Sequence, residues 1–122
     1  MAKEKKPRPP LAKIFEAAAK HFNIGLESLT NKNASGVGDA KKAAVYLARD
    51  IGYTYESIAE YMGFSPTTVL GQYKNATEKQ QRNKKYQSQI GSIRQALKDQ
   101  GFDMSKHRNG APFFDAPPAP QN

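Results

Sequence analysis

The sequence predicts an all-α fold, a compact domain of five or six helices. Three observations carry that expectation. Apolar residues recur at spacings of three and four in several stretches, and strand-like alternation never lasts more than a few residues. Glycine, proline and Asn/Asp clusters punctuate the periodic runs. At 122 residues the chain suits one domain.

Residues 1–10, "MAKEKKPRPP", set four cations against one acid among three prolines and read as a flexible basic arm. The helical domain is expected over 11–99. Leu11, Ile14, Phe15, Ala18 and Phe22 form the first apolar stripe, which should end near "NIG", with Gly25 as the left-handed cap. "LESL" allows one further turn, and "TNKNASGVGD" has no periodicity and reads as a loop. Asp39 is the expected N-cap of "AKKAAVYLARDI". The buried face of that helix is Ala40, Ala43, Ala44, Leu47, Ala48 and Ile51, while Lys42 and Arg49 share another face. Thr54 should cap the next helix, whose stripe is Tyr55, Ile58, Ala59 and Met62. Tyr86, Ile90, Ile93 and Leu97 mark the closing helix, opened by the basic run "RNKKY". Residues 100–122 read as a flexible Pro/Gly-rich tail carrying the Phe113–Phe114 pair.

Composition excludes several classes. With no cysteine, disulfides, thiolate nucleophiles and zinc fingers are ruled out. His21 and His107 lie far apart, neither sharing a helix face with a carboxylate or nucleophile, so neither a metal centre, a cofactor site nor an enzyme is expected. No apolar run approaches the roughly 20 residues that cross a bilayer, and the arm lacks a hydrophobic segment after its charges. The expectation is a cytoplasmic, nucleoid-associated protein without a membrane partner. A formal charge of +8 favours a polyanion, nucleic acid first.

The stretch "YESIAEYMGFSPTTVLGQYK" narrows that choice. Two helices meeting at a tight corner need a small residue at the crossing, a turn residue tolerant of positive φ and an apolar anchor beyond it. Ala59, Gly63 and Val69 stand in those places, with Ile58 and Phe64 as apolar flanks. Ser65 can cap the second helix through the N–H of Thr67 or Thr68, and Pro66 suits its first position. Val69, Tyr73 and Ala76 should then point inward. Thr68, Gln72 and Asn75 share the opposite face beside Thr67, Gly71 and Lys74, with no carboxylate before Glu78. Hydroxyls and amides can read base edges, and a lysine can neutralise a phosphate. Gly71 is locally unfavourable, since glycine inside a helix costs about 1 kcal/mol against alanine.

From about Leu11 to Leu97 the chain resembles the C-terminal DNA-binding domain of the bacterial replication initiator DnaA, which carries a helix-turn-helix. "TTVL" (67–70) looks like the threonine-threonine-valine signature that opens that family's recognition helix. "KKAAVYLARD" (41–50) is similar to its long preceding helix, and the distance from "TTVL" to Leu97 fits its closing helix. The resemblance implies a helix-turn-helix at 55–78 in which Thr67 and Thr68 contact bases and phosphates in the major groove. It further implies that Thr54 and Tyr55 touch the backbone and that Arg49 supports binding. The chain departs from the family in two places. The loop "NKNASGVGD" holds only Lys32, with Ser35 where the family has a minor-groove arginine, and Ser65–Pro66 replaces an aspartate-histidine pair in a turn one residue shorter. The arm from Lys3 to Arg8 is the expected substitute for the lost groove contact.

The expected function is a sequence-specific double-stranded DNA-binding regulator of replication initiation or transcription. No glycine-rich phosphate loop is present, so ATPase activity is not expected. The expected DNA-binding set is Thr67, Thr68 and Gln72 for bases, with Lys74, Arg49, Lys41 and Lys42 for phosphates, beside Thr54, Tyr55, Ser65, Asn75 and Lys32. The alternative is a protein-interaction adaptor of the replication machinery that keeps the fold but has lost base reading and reaches its partner through the C-terminal tail.

Overall fold

The periodic stripes become helices in the expected order. A computed structural model describes residues 8–29 and 38–104 of the chain. Its elements are α1 (Leu11–His21), α2 (Leu26–Leu29), α3 (Gly38–Asp50), α4 (Tyr55–Met62), α5 (Pro66–Arg82) and α6 (Lys84–Asp99). All are helical, and no strand is present among the described residues. The loop residues 30–37 with Lys32, the outer arm 1–7, His107 and Phe113–Phe114 lie outside the described residues.

One core joins the stripes. Leu11, Ile14, Phe15 and Ala18 of α1 are buried with Ile58, Ala59 and Met62 of α4 and with Tyr86, Ile90, Ile93 and Leu97 of α6. The centre is α3, packed against α1, α4, α5 and α6. Its expected face (Ala40, Ala43, Ala44, Leu47, Ala48 and, just past its end, Ile51) is buried, and so are Val45 and Lys41. A helix enclosed by four others has little free side left, which extends its burial beyond one stripe.

Two helix ends differ from expectation. The left-handed residue after α1 is Asn23 (φ 61°), not Gly25. The Ile24 N–H reaches the Ala19 carbonyl at 2.9 Å, closing the helix two residues early, and asparagine tolerates this conformation better than most residues. Asp39 sits inside the first turn of α3, which begins at Gly38, so it is not the cap. It works as a tertiary anchor instead. Its carboxylate receives Lys79 Nζ at 2.9 Å and its carbonyl receives the Tyr86 hydroxyl at 2.7 Å.

Packing extends past both expected ends of the helical domain. Pro9 is buried, and its carbonyl accepts the Tyr53 hydroxyl at 2.8 Å. At the other end Gly101 (φ 97°) turns the chain so that Met104 is buried and Phe102 packs on the core. Arg94 secures that return, donating to the Met104 carbonyl at 3.1 Å and to Asp50 Oδ2 at 2.6 Å. Neither short segment is periodic, so sequence pattern could not mark them as packed.

Burial raises the phenol of Tyr86 above its ordinary 10.0, with the Asp39 carboxylate adding to the effect. Burial likewise raises Tyr53, offset in part by Arg8. A folded state that holds these protons more tightly keeps their full stabilisation below pH 10.0 and loses it as pH rises above that value. Urea midpoints should therefore decline on the alkaline side of pH 10.0. Tyr86→Phe should cost about 1 kcal/mol at neutral pH and make that decline shallower. An unchanged alkaline slope in the variant would count against this account.

Candidate nucleic-acid interface

The junction of α4 and α5 is built from local chemistry. Thr54 caps α4, its Oγ1 accepting the Ser57 N–H at 3.1 Å and bonding Ser57 Oγ at 2.9 Å. Gly63 closes α4 in the left-handed conformation (φ 76°, ψ 26°), and the N–H groups of Gly63 and Phe64 both reach the Ala59 carbonyl, at 2.8 and 3.0 Å. Ser65 then restarts the chain as N-cap. Its Oγ accepts the Thr68 N–H at 3.2 Å and lies 3.0 Å from Thr68 Oγ1, while Pro66 opens the helix. Three residues thus join one helix to the next.

Val69 and Ala76 are fully buried and fix α5 to the core. The side of α5 turned from that contact presents Thr67, Thr68, Lys74 and Asn75, all exposed, with Ser65 exposed at its start. Gly71 faces open space, since a Cβ added there would meet no atom within 4 Å. The helix is also longer than the expected motif, running to Arg82 rather than stopping near 78.

Several of the expected contact residues, Gln72, Lys41 and Arg49 among them, are placed differently from a free surface position. Gln72 is half-buried, and its Oε1 is shielded from solvent without a hydrogen-bond partner. Lys41 is only 7 % exposed, its ammonium 5.1 Å from the centre of the Phe64 ring at the α4–α5 turn. Enclosure of α3 draws this residue inward, so it braces the turn and adds positive potential there. The guanidinium of Arg49 lies 4.0 Å over the Tyr55 ring and 5.8 Å from Tyr73, and its Nη1 donates to the Tyr53 carbonyl at 3.1 Å.

Arg49 belongs to an aromatic cluster that sequence spacing does not assemble. Tyr46 stacks on Tyr73 at 5.6 Å, and Tyr55 meets Tyr73 edge-on at 6.2 Å. The Tyr73 phenol is raised chiefly by burial, then by Tyr46, Tyr55 and Asp50, with Arg49 pulling the other way. The available signal was the three-residue spacing of Tyr46 and Arg49, which puts them on one side of α3. The structure therefore joins Arg49 and Tyr55 through Tyr73, and groups Ser65, Thr67 and Thr68 in one turn. Lys42 and Asn75 line a groove with Glu78, Lys79, Arg82 and Asn83.

No family model and no curated protein matches this sequence. The chemistry of the site must be judged from its own groups. Among the described residues no cluster of three His, Cys, Asp or Glu could hold a metal ion, and no helix is long and apolar enough to cross a membrane. The described surface around the junction offers hydroxyls, an amide and cations, which are donors and counter-charges for an anionic polymer.

Gly63 controls how that surface is aimed. Gly63→Ala has space for its methyl but must adopt φ 76°, so it should cost about 1–2 kcal/mol. Gly63→Asn should cost less. Urea unfolding of the two variants checks the order, and equal losses would contradict a conformational cause.

Proposed function

We propose that this chain is a sequence-specific double-stranded DNA-binding protein whose α4 and α5 act as a helix-turn-helix of the DnaA C-terminal type. In this reading it regulates replication initiation or transcription at the nucleoid, without ATPase activity. The observation that supports it best is the first turn of α5. Val69 holds this turn from behind while Thr67 and Thr68 stand exposed, and their hydroxyls and methyls suit base edges and thymine methyls.

Each neighbouring group has a role in this proposal. The Ser65–Thr68 hydroxyl pair holds Thr68 in one orientation. Lys74, Asn75 and Lys42 meet phosphates, and Arg49 does so from a guanidinium already oriented by Tyr55. Thr54 and Tyr55 bring the free N–H groups at the start of α4 to the backbone. Gln72 reads a base by swinging its amide outward, which relieves the unpartnered Oε1. Lys41 acts through the position of Phe64 and the local field.

Selection from random duplexes should enrich one motif. Thr68→Ala should lose that enrichment and about 1–2 kcal/mol of affinity for the enriched site. A motif that persists in the variant would remove Thr68 as a reader. Weak binding insensitive to salt, together with a stoichiometric protein partner, would favour the adaptor alternative.

Gly71 supplies an independent check. Because its surroundings are open and its φ is not positive, Gly71→Ala should raise stability by about 0.5–1 kcal/mol and leave DNA affinity unchanged. A gain in stability coupled to a loss of affinity would instead put a phosphate against the bare backbone.

A further inference from the structure

The far end of α5 extends into a basic surface of which the recognition-helix proposal uses only Lys42 and Asn75. Lys42 of α3, Asn75, Glu78, Lys79 and Arg82 of α5, and Asn83 line one open groove, and Lys84 and Lys85 follow at the start of α6. Arg82, Lys84 and Lys85 are exposed. None of the three makes an ion pair among the described residues. Lys79 differs, because Asp39 holds its ammonium at 2.9 Å and the Tyr86 ring lies 5.0 Å from it. It organises the groove wall, and the three unpaired cations remain available to a ligand.

Placement relative to Thr68 decides what that ligand is. At 3.6 residues per turn Thr68, Asn75, Lys79 and Arg82 share one face of α5, so the basic surface continues the reading face. Thr68 and Arg82 lie about 21 Å apart along the helix axis. A major groove is about 12 Å wide, so a helix whose first turn meets base edges carries its last turn past the groove wall. The polymer's phosphates, not its bases, are then within reach. Lys84 and Lys85 also stand at the positive end of the α6 dipole, where no acid offsets them. That position is unfavourable for folding, and a phosphate would relieve it.

We infer that the groove between α3 and α5, with Arg82 in its lining and the exposed Lys84 and Lys85 just beyond it in the chain, clamps the phosphate backbone of the same duplex outside the base-read motif. This inference rests on the proposed DNA binding and extends its footprint along α5. The clamp carries no sequence information. It adds affinity and salt dependence, which compensates for the small reading surface of a single module.

The test compares the full chain with Arg82→Ala/Lys84→Ala/Lys85→Ala on a long duplex centred on the enriched motif and on one trimmed to that motif. On the long duplex the variant should bind roughly tenfold or more weakly, and its salt slope should fall by about 0.9 for each phosphate no longer neutralised. The enriched motif and the affinity for the trimmed duplex should not change. Unaltered urea midpoints would exclude a folding defect, and Lys84→Glu/Lys85→Glu should deepen the loss. If the parent chain keeps its motif while the triple variant matches its slope on the long duplex, the clamp is wrong and the recognition helix stands. Equal losses on both duplexes would also overturn the clamp. A parent chain with no enriched motif, but a salt slope that the variant lowers, would keep the phosphate-binding groove and remove sequence-specific reading. Binding to no duplex removes both, and retention on polyglutamate in that case would assign the groove to an acidic protein.

Discussion

Close packing around α3 is the constraint on which the other features depend. Ala40, Ala43, Ala44 and Ala48 present almost no side-chain bulk, which lets four helices approach one axis. Polar ties then fasten the neighbours to the same helix. Asp39 at its start holds α5 through Lys79 and α6 through Tyr86. Asp50 at its end holds α6 through Arg94, and Arg49 bonds the Tyr53 carbonyl beside α4. A bulkier residue at these alanines would push back the helices packed on α3, and where that helix is α5 it would move the junction with α4. Overpacking a core of this kind costs about 1–3 kcal/mol.

The α4–α5 junction depends on that frame for position but not for shape. Its shape follows from short-range chemistry in Thr54, Gly63, Ser65 and Pro66, each of which sets one backbone feature. Caps of this sort contribute about 1 kcal/mol each. Together they define where the first turn of α5 begins, and the buried Val69 and Ala76 define which way it faces. Stability and presentation are thus divided between different residues of one helix. Substitutions on the exposed side can change the presented surface with little effect on folding.

Charge is distributed with a similar division. The chain carries a formal +8, yet several of its cations are committed to structure. Arg94 and Lys79 hold carboxylates, Arg49 is stacked on Tyr55, and Lys41 lies over Phe64. Among the described residues Lys74, Arg82, Lys84 and Lys85, exposed along α5 and at the start of α6, make no ion pair. For the proposed DNA partner, these are the cations free to meet phosphates, whereas Arg49 is already held against the Tyr55 ring.

The sequence by itself determined the periodic and the local features. Stripes such as Tyr86, Ile90, Ile93 and Leu97 record burial directly, because a helix returns to the same face every three or four residues. Thr54, Gly63, Ser65 and Pro66 were equally legible, since each acts on backbone within four residues of itself. Tertiary structure alone decided the rest. Lys41 became buried because four helices surround α3, and Asp39 became an anchor because Lys79 and Tyr86, distant in sequence, arrive beside it. Met104 packed because Arg94 and Asp50 offered a place for the returning chain. The Tyr46–Arg49–Tyr55–Tyr73 cluster needed three helices to meet. Such contacts leave no periodic trace in sequence, because the partners that stabilise them are chosen by packing in three dimensions.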